Sequence, residues 1–167
     1  MAKDESLKPT FIVLVGLPMC GKSTWTAQNI KEGDVILSLD GIMEEAGQTF
    51  HGIVNDYEKC YRTVDVKLIK QIYNDRFDLA IKERKNVIVD KTNLTVKTRR
   101  RLLARVPRDY RRIAVVFNWD MAVLEERNKQ RKIAHNKYIP ESVIKSMSDQ
   151  YVAVSSDEGF NKIITVN

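Results

Sequence analysis

Phe11-Ile12-Val13-Leu14-Val15-Gly16-Leu17-Pro18-Met19-Cys20-Gly21-Lys22-Ser23-Thr24 joins an apolar run to a turn bounded by glycines, and that junction decides the fold. The apolar residues 11–15 follow one another without a break. They read as a strand covered on both faces, because a strand with one wet face alternates instead. The turn over 16–23 matches GxxxxGK(S/T). Its successive backbone N–H groups line a concavity that cradles phosphate oxygens. The helix opening at Lys22 adds unpaired N–H groups and the positive end of its dipole. Gly16 and Gly21 permit angles and approaches that a Cβ obstructs. Lys22 is placed to reach the β- and γ-phosphates, and the Ser23 hydroxyl to bind Mg2+. Gly16, Cys20, Gly21, Lys22, Ser23 and Thr24 are therefore the expected nucleotide contacts. Cys20 reads either as a small filler or as a thiol activated by the helix N-terminus.

Beyond the loop, strands alternate with helices. Residues 35–39 read as a second strand ending at Asp40, 87–89 as a third ending at Asp90, 113–117 as a fourth and 162–166 as the last. Helical spacing runs over 22–30, over 56–85 as one helix or two joined near Asn74, and over 95–105 with Thr95 or Asn93 as cap. It returns at about 120–133 and 141–152. The pattern predicts an α/β fold: a five-stranded parallel sheet with helices on both faces, one domain over 1–167, with 1–9 a frayed tail. Ligands of such sheets sit beyond the C-terminal strand ends, so Gly16, Asp40, Asp90 and residues 118–120 share one rim.

Composition narrows the classes. The chain has 167 residues, 43% hydrophobic and 30% charged, enough for one globular core. It has no run of about 18 apolar residues, so no membrane span is expected. Two distant cysteines, Cys20 and Cys60, suit a reducing, cytoplasmic compartment. With only His51 and His135 and no CxxC, no zinc site is expected. The net charge of +6, from 28 Lys+Arg against 22 Asp+Glu, suits an anionic partner such as ATP or a nucleic-acid end; it equally suits a soluble surface.

A phosphate loop alone does not separate kinases from switches and motors. Asn128-Lys129-Gln130-Arg131 begins like the guanine-reading NKxD element but ends in arginine, and neither a DxxG element nor an arginine-rich AAA+ apparatus is visible. The acidic rim points to a kinase. Asp40 is placed to orient an acceptor hydroxyl and take its proton, or else to cap a short helix over 41–46. Asp90 stands where a carboxylate holds Mg2+ or its water, or else caps the 92–94 turn. Arg127 and Arg131, four apart on one helix face, close over phosphates or form a solvated basic face.

Taken together, the strand–GxxxxGKST pattern of 16–24, Asp90-Lys91-Thr92-Asn93-Leu94 with Arg99-Arg100, Glu126-Arg127-Asn128 with Arg131, Ile139-Pro140 and Glu158-Gly159-Phe160 resemble the phage-type polynucleotide 5′-kinases. The likeness spans about residues 11–166. It implies a P-loop NTPase domain of the kinase type with a helical lid, and transfer from ATP with Mg2+ to 5′-hydroxyl ends of DNA or RNA, in host cytoplasm if phage-encoded. It also implies that Lys22 and Ser23 bind phosphates and metal, that Asp40 activates the 5′-hydroxyl, and that Arg131, supported by Arg127, meets the transferring phosphate. Three residues after Asp40 the family carries an arginine for the acceptor phosphate; here Met43 stands there, leaving Arg62 or Lys91 to replace it. No DxD motif is present, so no phosphatase function is expected. The segment 155–158 is the expected seat of the base.

Two alternatives stay open: a small-molecule kinase acting on a nucleoside, nucleotide, sugar or antibiotic, and a nucleotide-dependent nucleic-acid-binding module without catalysis. Arginines 99, 100, 101, 105, 108, 111 and 112 either steer a nucleic-acid backbone or form a solvated helix face. Trp25, Trp119 and Tyr61 are expected in core packing rather than base stacking. Lys22→Ala should abolish phosphoryl transfer with little loss of fold; full turnover by that variant contradicts the role of the loop.

Overall fold

The computed structural model describes residues 7–167. Residues 1–6 of the expected tail lie outside the described residues. The rest of that tail is partly tied down, since Pro9 is buried and its carbonyl accepts from Arg111 N at 2.9 Å.

Strands β1 (Thr10–Val15), β2 (Val35–Leu37), β3 (Val87–Val89), β4 (Arg111–Phe117) and β5 (Lys162–Val166) form one sheet in the order β2-β3-β1-β4-β5. Every pairing is parallel. Side chains alternate between its faces as the pleat requires. Phe11, Val13, Val15, Val87 and Val89 join the larger core, whereas Leu14, Ile88, Val115 and Phe117 join the opposite one.

The larger core is closed by α2 (Leu39–His51), α4 (Val66–Lys82) and α5 (Val96–Ala104), through Met43, Phe77 and Leu102 among others. Helix α1 (Lys22–Asn29) covers the second face through Trp25, whose ring meets Phe117 edge-on at 6.4 Å. Helices α6 (Met121–His135) and α7 (Glu141–Gln150) enclose a third cluster around Leu17, Leu94, Leu124 and Ile144.

Two boundaries differ from the sequence expectation. The second strand stops at Leu37, because Ser38 caps α2 by accepting from Gly41 N at 3.1 Å; Asp40 therefore lies in the first turn of a helix rather than at a strand end. The helical stretch after Asp56 does divide, but at Val64–Asp65 instead of Asn74. Helix α3 (Tyr57–Thr63) ends there, and Asp65 caps α4 by accepting from Lys67 N at 2.9 Å.

Arg99 is not part of a basic surface. It is fully buried, donating to Glu158 Oε2 at 2.7 Å and Oε1 at 2.8 Å and to the carbonyls of Asn93, Leu94 and Val152 at 3.0 Å each. One guanidinium thus fastens the segment after β3 to the chain entering β5. Burial pushes Glu158 up, but the Arg99 bonds and charge outweigh it and hold the carboxyl below its ordinary range. Residues 155–158, expected to seat the base, are not among those that line the cleft. Removing one partner strands a buried charge. Glu158→Ala should lower unfolding stability by about 3–5 kcal/mol in urea titration; a wild-type midpoint contradicts the assignment.

Candidate active site

A cleft of about 1610 Å³ opens at the C-terminal rim of the sheet and is lined by residues 18–25, Asp40, Glu44, Tyr57, Asp90, Lys91, Arg127, Arg131 and Lys137 among others. Pockets for a single small ligand run to about 300–1,000 Å³, so a cleft of this size has room for a nucleotide and an acceptor together. The order of the sheet turns at β1, with β3 on one side and β4 on the other, which places the crevice where parallel sheets bind ligands.

The nucleotide half is built around the start of α1. Its N-cap is Gly21, at φ 105°, a left-handed angle that favours glycine. No side chain caps this end and no acid lies in its first turn. Helices α2 to α6 each carry a side-chain cap, and α7 has Glu141 in its first turn. Only α1, among the described helices, leaves its N-terminus without either, the arrangement an anion fills. Gly16 is needed for space: a Cβ there would lie 2.5 Å from Cys20 Sγ and 3.1 Å from Phe117 Cβ.

The buried Lys22 ammonium donates to Gly16 O at 2.9 Å and Leu17 O at 2.6 Å, holding it inside the loop. Cys20 is half-buried beside it; burial pushes the thiol up in spite of Lys22, which fits the filler reading and not the activated thiol. Thr24 is exposed on the cleft wall.

Ser23 Oγ donates to Asp90 Oδ2 at 3.3 Å. The structure thus unites the two expected metal ligands, and Asp90 does not serve as a cap: Thr95 caps α5 instead, accepting from Thr98 N. No group of three or more His, Cys, Asp or Glu side chains is placed to hold a metal among the described residues. A hydroxyl and one carboxylate are hard oxygen donors that suit Mg2+, which takes its remaining ligands from phosphates and water. Asn93, buried, donates to Leu14 O at 2.8 Å, and Gly16 N donates to Thr92 O at 3.0 Å, locking the Asp90 segment against the loop.

The lid arginines separate in role. Arg127 donates to Met19 O at 2.6 Å, on the loop itself. The Arg131 guanidinium makes no hydrogen bond among the described residues; burial lowers its pKa, while Asp40, Glu44 and Tyr57 pull it back up.

The acceptor half holds the residues that sequence reasoning missed. Asp40, 55% exposed at the side chain, accepts from Tyr57 Oη at 2.6 Å through Oδ1 and pairs with Lys137 Nζ at 3.0 Å through Oδ2. Lys137 also reaches Glu44 at 3.3 Å and lies 4.2 Å from the centre of the Tyr57 ring. Burial pushes Asp40 up, but Lys137 and Tyr57 together hold it below the ordinary carboxylate range. A tyrosine and a lysine in loop-flanked positions carry no sequence signal; only the helical register after Asp56 hinted at Tyr57.

Met43 is buried in the core. Lys91 lines the cleft, its ammonium 5.2 Å from the Tyr73 ring, whereas Arg62 pairs with Glu58 away from it. None of the arginines between 99 and 112 lines the cleft; Arg105 pairs with Asp78 and lies over Phe77. Trp119 packs on Tyr151, but Tyr61 is 58% exposed and stacks on Tyr57 instead of entering the core.

The fold and the loop define a P-loop nucleotide-binding domain of the kinase type. Residues 11–154 match the family described as AAA domain (AAA_33), and the chain belongs to that family. Its AAA name stands beside a sequence without the AAA+ arginine apparatus, and the fold is kinase-like. Comparison with curated proteins finds no match. Among solved structures, a chain from the Pnkp1/Rnl/Hen1 RNA repair complex is similar, with TM-score 0.65 and 24% identity over 86% of this chain and 44% of that one. The present chain thus spans less than half of that relative. The gluconokinase from Sinorhizobium meliloti 1021 is similar at TM-score 0.53 and 17% identity, over 95% and 82% of the two chains. Kti12 from Chaetomium thermophilum, solved with ADP-AlF3, is similar at TM-score 0.57 and 15% identity, over 93% and 88%. At these identities the likeness is one of fold.

Asp90 also yields a sign. Burial raises its pKa more than Lys22 and Ser23 lower it. A carboxyl raised in the folded state favours folding at acid pH and opposes it once ionised. Asp90→Asn should therefore melt higher than wild type at pH 7 while losing Mg2+-dependent transfer; a lower melting temperature contradicts this.

Proposed function

We propose that the chain transfers the γ-phosphate of ATP, with Mg2+, to a 5′-hydroxyl end of nucleic acid. The observation that carries this reading is that the phosphate loop with Lys22, the unpartnered Arg131 and the Asp40 carboxylate face one cleft large enough for two substrates. The triphosphate lies along the loop amides, where its oxygens give Lys22 a charged acceptor in place of the carbonyls of Gly16 and Leu17. Ser23 and Asp90 are the residues that would hold Mg2+, which neutralises phosphate charge when bound. The acceptor oxygen bonds to the γ-phosphorus as the bond to the β–γ bridging oxygen breaks, and ADP leaves. Asp40 takes the hydroxyl proton, and Arg131 offsets charge on the transferring group.

One structural neighbour belongs to an RNA repair complex, and this and the net positive charge support the nucleic-acid acceptor. A second reading, a small hydroxyl acceptor, is favoured by the acceptor end itself. There Met43 is buried, and Asp40, Glu44, Glu45 and Asp56 outnumber Lys137. A gluconokinase is among the folds that match.

Labelled ATP offered with a 5′-hydroxyl oligonucleotide, with a nucleoside and sugar mixture, and with no acceptor separates the readings. Label on the oligonucleotide end is expected. Label on a small acceptor alone transfers the assignment to the second reading, and label on none contradicts both.

A further inference from the structure

Lys137 is the most tightly constrained cation on the acceptor side of the cleft. Its side chain is 17% exposed, with the ammonium between Asp40 and Glu44 and against the face of Tyr57. The chain that carries it, 136–140, is fixed from two directions. Asn128, buried in α6, donates to Ile139 O at 2.6 Å and accepts from Ile139 N at 3.1 Å. Asn136, left-handed at φ 47°, donates to Asp56 Oδ1 at 2.8 Å, and its carbonyl accepts from Glu58 N at 3.3 Å, both at the start of α3.

The return from the lid helix is therefore docked on α2 and α3 with Lys137 as its inward point. Without these partners a short carboxylate 55% exposed on the rim would rotate freely. With them, both its oxygens are fixed, one by Tyr57 from α3 and one by Lys137 from the lid return. Arg131, one turn and more back on the lid, stays free for the phosphoryl group.

We infer that Lys137 is a positioning residue for the transfer, holding Asp40 toward the acceptor hydroxyl and making that orientation depend on the seating of the lid against α2 and α3. The inference rests on the assignment of Asp40 as the proton acceptor. A seated lid then presents Arg131 to the phosphate and a set carboxylate to the acceptor in one arrangement. Preorganisation of this kind acts on the chemical step, because a catalytic group displaced by about 1 Å loses about 100-fold in rate.

The test is a double-mutant cycle on the full chain, read in single turnovers with ATP, Mg2+ and a 5′-hydroxyl oligonucleotide: wild type, K137M, D40N and K137M/D40N. K137M should slow transfer by about 10- to 100-fold, with KM for ATP within about twofold of wild type, and K137R should recover most of the rate. In the D40N background K137M should cost nothing further, since a residue acting through Asp40 has no effect once Asp40 is gone. An equal loss in both backgrounds overturns the inference, as does a wild-type rate for K137M. Thermal melting reports whether each variant is folded, and K137Q replaces K137M if the latter is not. If wild type labels a small hydroxyl compound and not the oligonucleotide, the acceptor assignment alone fails and the cycle is read on that compound. If no acceptor is labelled, both fail.

Discussion

The architecture depends on a helix that begins without a cap. Backbone N–H groups at a helix start need a partner, and every other described helix draws one from a side chain or has an acid in its first turn. Helix α1 has neither, and the residues before it keep the space open. Gly16 leaves no Cβ to collide with Cys20 and Phe117, and Gly21 turns left-handed so that the chain enters the helix facing the cleft. An end left open in this way offers its unpaired N–H groups and the positive end of the helix dipole to an anion. The parallel sheet directs that end to the same rim as Asp90, and Arg99 with Glu158 fastens the segment after Asp90 to the chain entering β5.

Charge is divided along the cleft in a way that suits two substrates. The loop end holds Lys22, beside Asp90 and Ser23, and Arg127, on the Met19 carbonyl; burial raises the pKa of Asp90. The acceptor end is acidic, with Lys137 set among Asp40 and Glu44. A polyanion approaching that end meets carboxylates that are already paired: Asp40 and Glu44 by Lys137, and Glu45 by Arg76. These pairings leave Asp40, Glu44 and Glu45 partly neutralised along the acceptor half.

The parts legible in the sequence were those whose cause is local. Continuous apolar runs mark the buried strands β1 and β3 nearly to the residue, and β-branched residues mark the partly exposed edge strand β5. The phosphate loop is a contiguous device whose spacing is its mechanism. Asp40 sits in a helix rather than at a strand end because the Ser38 side chain caps α2 and starts the helix one residue earlier. The helix break at Val64–Asp65 was hidden because the apolar spacing continues through it. Lys137 and Glu44 stand 93 positions apart and meet only when the lid return docks. Arg99 looked like one member of a basic run, and its partner Glu158 lies 59 positions away. Contacts of this kind belong to the tertiary fold, and no periodicity announces them.

A crystal structure with Mg2+ and a non-hydrolysable ATP analogue tests the central claim most directly. Phosphate oxygens are expected within hydrogen-bond reach of the amides over 16–23 and of Lys22, with the Asp40 carboxylate, still held by Tyr57 and Lys137, facing the γ-phosphate across the cleft. An analogue bound elsewhere with the loop empty, or Asp40 turned away from the γ-phosphate, contradicts it.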